Sequence, residues 1–121
     1  MIAKVHGAVV TRANKNYSGS LTLDSTIMRK AGMLELERVQ VLNLDTGARV
    51  ETYLIRGKAG SGTVGVNGAA AHRFKPGQRV LVVAYGVMDD QERIGAKAKV
   101  LIMDGGPRNR VKRVRTMRLG R

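Results

Sequence analysis

The chain has 121 residues, 43% of them hydrophobic, and a formal net charge of +13. That length fits one domain, and that apolar fraction is too high for a disordered chain. The absence of cysteine excludes disulfides, thiolate metal sites and cysteine nucleophiles, and no apolar run approaches the ~20 residues of a membrane helix, so a soluble cytoplasmic protein is expected.

Residues 2–10, IAKVHGAVV, read as a strand of small and β-branched residues, and 11–17 as a polar loop. SLTLD, 20–24, is a short strand with Leu21 and Leu23 on one face. A helix follows over DSTIMRKAGML. Asp24 or Ser25 can cap its first amides, Gly32 can end it in a left-handed conformation, and Ile27, Met28 and Ala31 share a face. RVQVLNLDTGARVETYLI reads as a hairpin turning at Asp45-Thr46-Gly47. RGKAGSG, 56–62, is a glycine-rich loop, TVGVN a short strand, NGAAAHRF a turn entering a short helix, and KPGQ a turn. RVLVVAYGVM is an apolar strand, DDQERIGAK a loop or short helix, and AKVLIMD the last strand. Residues 105–121 hold seven of the 22 Lys and Arg and no acid. They are expected to form a flexible tail after a single domain over 1–104. Six or seven short strands with one or two short helices predict an all-β fold, a small closed barrel without exposed edges.

Several residues could carry chemistry. In NKNYSGSLTL, 14–23, Gly19-Ser20 can be an ordinary turn, as Ser61 in GSG is. It can also be a reaction site. The Ser20 hydroxyl can attack the Gly19 carbonyl and turn the amide into an ester. Loss of the α-proton then expels the upstream chain, and hydrolysis of the resulting dehydroalanine leaves a pyruvoyl group. Lys4 and Arg49 are candidates for carboxylate binding, with a solvated surface charge as the alternative for each. His6 and His72 lack acidic companions at ligand spacing, so no metal site is expected. Thr52 and Tyr53 point to opposite faces of a regular strand; a tyrosine hydroxyl can donate a proton, and the pair also simply favours β structure. In VNGAAAH, 66–72, small side chains can let a ligand reach the backbone amides, or can form a tightly packed turn.

Taken in order, Lys4 and His6, YSGS at 17–20, GARVETY at 47–53 and VNGAAAH at 66–72 resemble the pyruvoyl-dependent aspartate 1-decarboxylase family. The match runs from Met1 to about Val83, and resemblance beyond Asp104 is poor. The resemblance implies a double-psi β-barrel, assembled as a homotetramer with active sites between subunits. It implies conversion of L-aspartate to β-alanine and CO2 for pantothenate and coenzyme A synthesis. Cleavage between Gly19 and Ser20 would give a β chain of 1–19 and an α chain of 20–121 headed by pyruvoyl. That pyruvoyl ketone would form a Schiff base with the substrate amine, with neither pyridoxal phosphate nor a metal. Thr52 would assist the acyl shift and Tyr53 would act as proton donor. Lys4 and Arg49 would bind carboxylates. Asn67 and the backbone of Gly68 and Ala69 would orient the pyruvoyl or substrate, and His6 and Tyr17 would line the site. Leu42 departs from a tryptophan found in one branch of the family. Two rival readings are a basic nucleic-acid-binding barrel, which the scarcity of aromatics argues against, and a glutamate decarboxylase of the same mechanism.

Overall fold

The computed structural model describes residues 1–119; Gly120 and Arg121, the end of the basic segment, lie outside the described residues. The strands are β1 (Ala3–Val9), β2 (Arg12–Asn14), β3 (Ser20–Asp24), β4 (Arg38–Asn43), β5 (Arg49–Gly57), β6 (Val64–Asn67), β7 (Arg79–Ala84), β8 (Lys97–Met103) and β9 (Val111–Arg118). Helix α1 (Ser25–Ala31), a 3-10 helix (Gly68–Arg73) and the single-turn α2 (Asp90–Arg93) complete the elements. The all-β architecture expected from the sequence is present as one nine-stranded, barrel-like sheet in the order β2-β6-β3-β5-β4-β7-β1-β8-β9. The pairings β1–β8, β2–β6 and β3–β5 are parallel and the rest antiparallel. Among the described residues, no helix is long and apolar enough to cross a membrane.

Strand alternation builds the core. Val5, Val82, Val41 and Val50 follow one another across β1, β7, β4 and β5 in a single register row. Leu21, Leu23, Leu54 and Leu101 join that interior, with Phe74 its only aromatic among the buried residues. Helix α1 closes one side with Ile27, Met28 and Ala31. Its cap is Asp24, which accepts from the Thr26 amide at 2.8 Å. The same carboxylate accepts from the amides of Gly60 at 3.0 Å and Gly62 at 2.9 Å, so one side chain both starts the helix and holds the glycine-rich loop. Gly32 ends the helix at φ 73°, the left-handed cap that its position demands.

Three segments differ from the sequence reading. Residues 12–14, expected as loop, form β2, a polar edge strand alongside β6. The apolar strand from Arg79 ends at Ala84, short of Met88. The third difference is the basic segment. Instead of a free tail after residue 104, Val111–Arg118 pairs antiparallel with β8 over its whole length. Buried Asn109 seats it. This residue adopts φ 53°, accepts from the Val9 amide, and donates to the carbonyls of Val9 at 2.9 Å and Gly62 at 2.8 Å. The turn preceding β9 is thereby tied to β1 and to the glycine-rich loop.

Candidate active site

The Gly19-Ser20 bond lies at the entry to β3. That strand pairs antiparallel with β6, and the register sets Ser20 opposite Asn67. Cross-strand partners project to the same side. Asn67 Nδ2 accordingly donates to Ser20 Oγ at 2.9 Å and to Thr22 Oγ1 at 3.0 Å. Both Ser20 and Asn67 are almost wholly buried, at 1% and 2% exposure. Burial makes this pairing matter, because an amide or hydroxyl without a partner in such a place is costly.

The backbone closes over the pair from the next residue. Gly68 leaves β6 at φ 72° and begins the 3-10 helix. A Cβ there would stand 2.7 Å from Gly19 Cα and 2.8 Å from Gly19 N, well inside the ~3.5–4.0 Å of an ordinary carbon contact. Gly68 therefore lets two backbone segments touch at the residue before Ser20. Gly19 itself has nothing within 4 Å of its own Cβ position. The glycine that packing requires is the one at 68.

Tyr53 and Thr52 sit on β5, the other neighbour of β3. The parallel register pairs Leu21 with Leu54, so both residues lie beside the Ser20 end of β3. Leu21 and Leu54 face the core; alternation therefore turns Tyr53 to the Ser20 side and Thr52 inward. Tyr53 is 39% exposed, and with Leu36, Arg38, Glu51 and Thr52 it lines an open cavity of about 490 Å³. Tyr17 is exposed upstream of Gly19, and Ala69 is exposed on the 3-10 helix.

The candidate carboxylate binders form a separate group. Lys4 and His6 lie half-buried on β1, which β5, β4 and β7 separate from β3. Arg49 begins β5, at the end away from Leu54. Its Nη1 donates to Gln40 Oε1 at 3.4 Å, and Tyr85 Oη donates to the same oxygen at 3.2 Å. Register carries His6 through Leu81 and Leu42 to Arg49, so these residues share one row and one face. Leu42 is half-buried within that row. The chain thus brings Ser20, Gly19, Asn67, Gly68 and, on the adjoining strand, Tyr53 together, and leaves Lys4, His6 and Arg49 apart from them. His72 is exposed on the 3-10 helix, and among the described residues no group of three His, Cys, Asp or Glu could hold a metal ion.

Thr22 and Gln40 are the residues that the sequence reading missed. Thr22 was within reach: between inward Leu21 and Leu23, it must share the Ser20 side. Gln40 carries no comparable signal, because its partners come from the β4–β5 and β4–β7 pairings.

Fold and cluster together define a small barrel-like all-β protein, with a sealed serine at a strand entry and a glycine-on-glycine backbone contact beside it. A family model described as aspartate decarboxylase matches residues 1–112. The aspartate 1-decarboxylase of Thermoanaerobacter pseudethanolicus is 47% identical over 104 residues, covering 86% of this chain and 89% of that protein. That of Bacillus velezensis is 46% identical over 104 residues, 86% of this chain and 82% of the other. That of Clostridium beijerinckii is 46% identical over 101 residues, 84% and 82% of the two chains. The chain belongs to the aspartate decarboxylase family, and the match reaches well past the last of the motifs, which ends at His72.

Proposed function

We propose that this chain decarboxylates L-aspartate to β-alanine and CO2, for pantothenate synthesis, after cutting itself between Gly19 and Ser20. The observation that carries the processing step is the sealed contact of Ser20 and Asn67 against Gly19 and Gly68. Asn67 Nδ2 holds Ser20 Oγ in place. Oγ adds to the Gly19 carbonyl carbon, the C–N bond breaks, and the Ser20 nitrogen takes the proton; Thr52, turned inward on β5, stands on the other face from Ser20 and takes no part in this step. The Ser20 α-proton then leaves, and the ester oxygen departs with Gly19 as its carboxylate. Water replaces the nitrogen, ammonia is released, and residues 20–121 carry a pyruvoyl group. The residues present fit that group: the missing Cβ of Gly68 leaves the backbone room that it needs, and Asn67 offers it a donor. Once formed, the group supplies the electron-withdrawing carbonyl that decarboxylation of an amino acid requires.

The chain's own side chains do the remainder. Lys4 and Arg49 bind the two substrate carboxylates, and the backbone of Gly68 and Ala69 orients the reacting centre. Tyr53 Oη delivers a proton to the carbon that has lost CO2. His6 and Tyr17 line the site. Lys4 stands well away from Ser20 along the sheet of its own copy. Four strand steps separate β1 from β3, ~19 Å across the sheet, and the outer faces of a curved sheet diverge. A second copy presents its β1 instead, in a homotetramer with sites between subunits.

Two measurements test this reading. Purified protein under denaturing conditions should give masses for residues 1–19 and 20–121, the larger without its terminal amine. Radiolabelled aspartate should release CO2, in preference to glutamate in competition. Ser20→Ala should stay one intact chain and release none. Fragmentation of that variant at residue 19, or an unbroken wild-type chain that decarboxylates aspartate, would overturn the proposal.

A further inference from the structure

Strand β9 extends the face that carries Lys4 and His6. β8 runs parallel to β1, with Val100 beside Lys4 and Ile102 beside His6. β9 runs antiparallel to β8, with Arg115 opposite Val100 and Arg113 opposite Ile102. Register partners project to one side of a sheet. Val5 and Leu101, also partners and both at 0% exposure, mark the other side as core. Lys4 with Arg115, and His6 with Arg113, therefore stand on one outer face. Two strand spacings, ~10 Å, separate the members of each pair. Both arginines are exposed. Among the described residues, neither they nor Lys4 has a carboxylate within ion-pair distance. Lys97 and Arg118, paired with each other, project from the opposite side of the same two strands. The family model's match ends at residue 112, so both arginines lie beyond it.

We propose that Arg113 and Arg115 are a second rank of substrate-binding cations that draw the dicarboxylate toward Lys4; this rests on the reading that Lys4 holds a substrate carboxylate. The physics is long-range attraction. A dianion ~10 Å from a unit charge in water is favoured about fourfold per cation. Salt removes this gain once the Debye length falls well below 10 Å. The effect belongs to substrate capture, so it enters KM and leaves the bond-breaking step alone.

The test uses the mature, assembled enzyme and steady-state release of CO2 from L-aspartate. Arg113→Gln/Arg115→Gln should raise KM about five- to fifteenfold at an ionic strength of about 10 mM, with kcat within about twofold. The difference should vanish above about 0.5 M salt. Lys97→Gln/Arg118→Gln removes the same charge from the other side, three residues farther along the two strands, and should raise KM by clearly less than the glutamine pair at 113 and 115. Arg113→Lys/Arg115→Lys, which keeps the charge, should keep the wild-type KM and serves if the glutamine pair fails to assemble. An unchanged KM in the glutamine pair overturns the inference, as does an equal rise in both charge-removing pairs. So does a wild-type KM for the glutamine pair combined with lost kcat. Wild-type protein that releases no CO2 from aspartate overturns the reading of the site, and this inference with it. Wild-type activity beside a failed charge series overturns the inference alone.

Discussion

Adding one methyl group at residue 68 tests the backbone contact directly. In Gly68→Ala the new Cβ would fall 2.7 Å from Gly19 Cα and 2.8 Å from Gly19 N, about 1 Å too close. The φ of 72° adds a second penalty, since a left-handed backbone costs a residue with a Cβ about 1–2 kcal/mol. Overpacking against backbone costs about 1–3 kcal/mol. Together these predict a loss of about 2–5 kcal/mol, read from urea titrations in the Ser20→Ala background, where no cleavage intervenes. The same displacement moves the Gly19 carbonyl away from Ser20 Oγ, and misplacement by 1 Å can cost about 100-fold in rate. A time course of intact mass under denaturing conditions should show self-cleavage slowed by about that factor. Gly19→Ala is the contrast. Its methyl group meets nothing within 4 Å, and its φ is not positive; stability should change by no more than about 0.5 kcal/mol. Wild-type cleavage and stability in Gly68→Ala would refute the argument, as would equal damage from both substitutions.

Two further outcomes follow from the buried polar anchors. Asp24→Asn swaps one of the two oxygens that receive the amides of Thr26, Gly60 and Gly62 for a donor that faces a donor. The urea midpoint should fall by the equivalent of about 1–3 kcal/mol, with amide exchange quickening in residues 58–62; exchange unchanged there would dissociate Asp24 from the loop. Asn109→Ala removes all three hydrogen bonds to Val9 and Gly62 and puts alanine at φ 53°. It should cost about 2–4 kcal/mol and release β9, seen as loss of amide protection over 111–118. Protection retained along that strand would show that β8 holds it unaided.

Much of the fold was legible because local and global signals agreed. Leu21 and Leu23 alternate, Asp24 stands where a helix cap is needed, and Gly32 stands where the helix must end. β9 was illegible for a physical reason. It lies at the sheet edge with one residue half-buried and the others exposed, so no apolar alternation marks it, and six cations among residues 108–118 imitate a solvated tail. Its placement rests on Asn109, whose partner Val9 is 100 residues away. At the site, alternation correctly split Thr52 from Tyr53, and the resemblance pointed to Ser20 and Asn67. The distance between Lys4 and Ser20 was beyond reach, because it depends on strand order. The importance of Gly68 over Gly19 was equally hidden, since it depends on how closely two backbone segments approach.

The position of β1 decides what a break after residue 19 would leave behind. β1 is an interior strand, flanked by β7 and β8, and it contributes Val5 and Ala8, both at 0% exposure. A nineteen-residue piece so interwoven cannot diffuse away. The nicked molecule would keep its shape and run as one species in any gentle separation. Only unfolding would part the two pieces, so a native gel or sizing column would be blind to such a break.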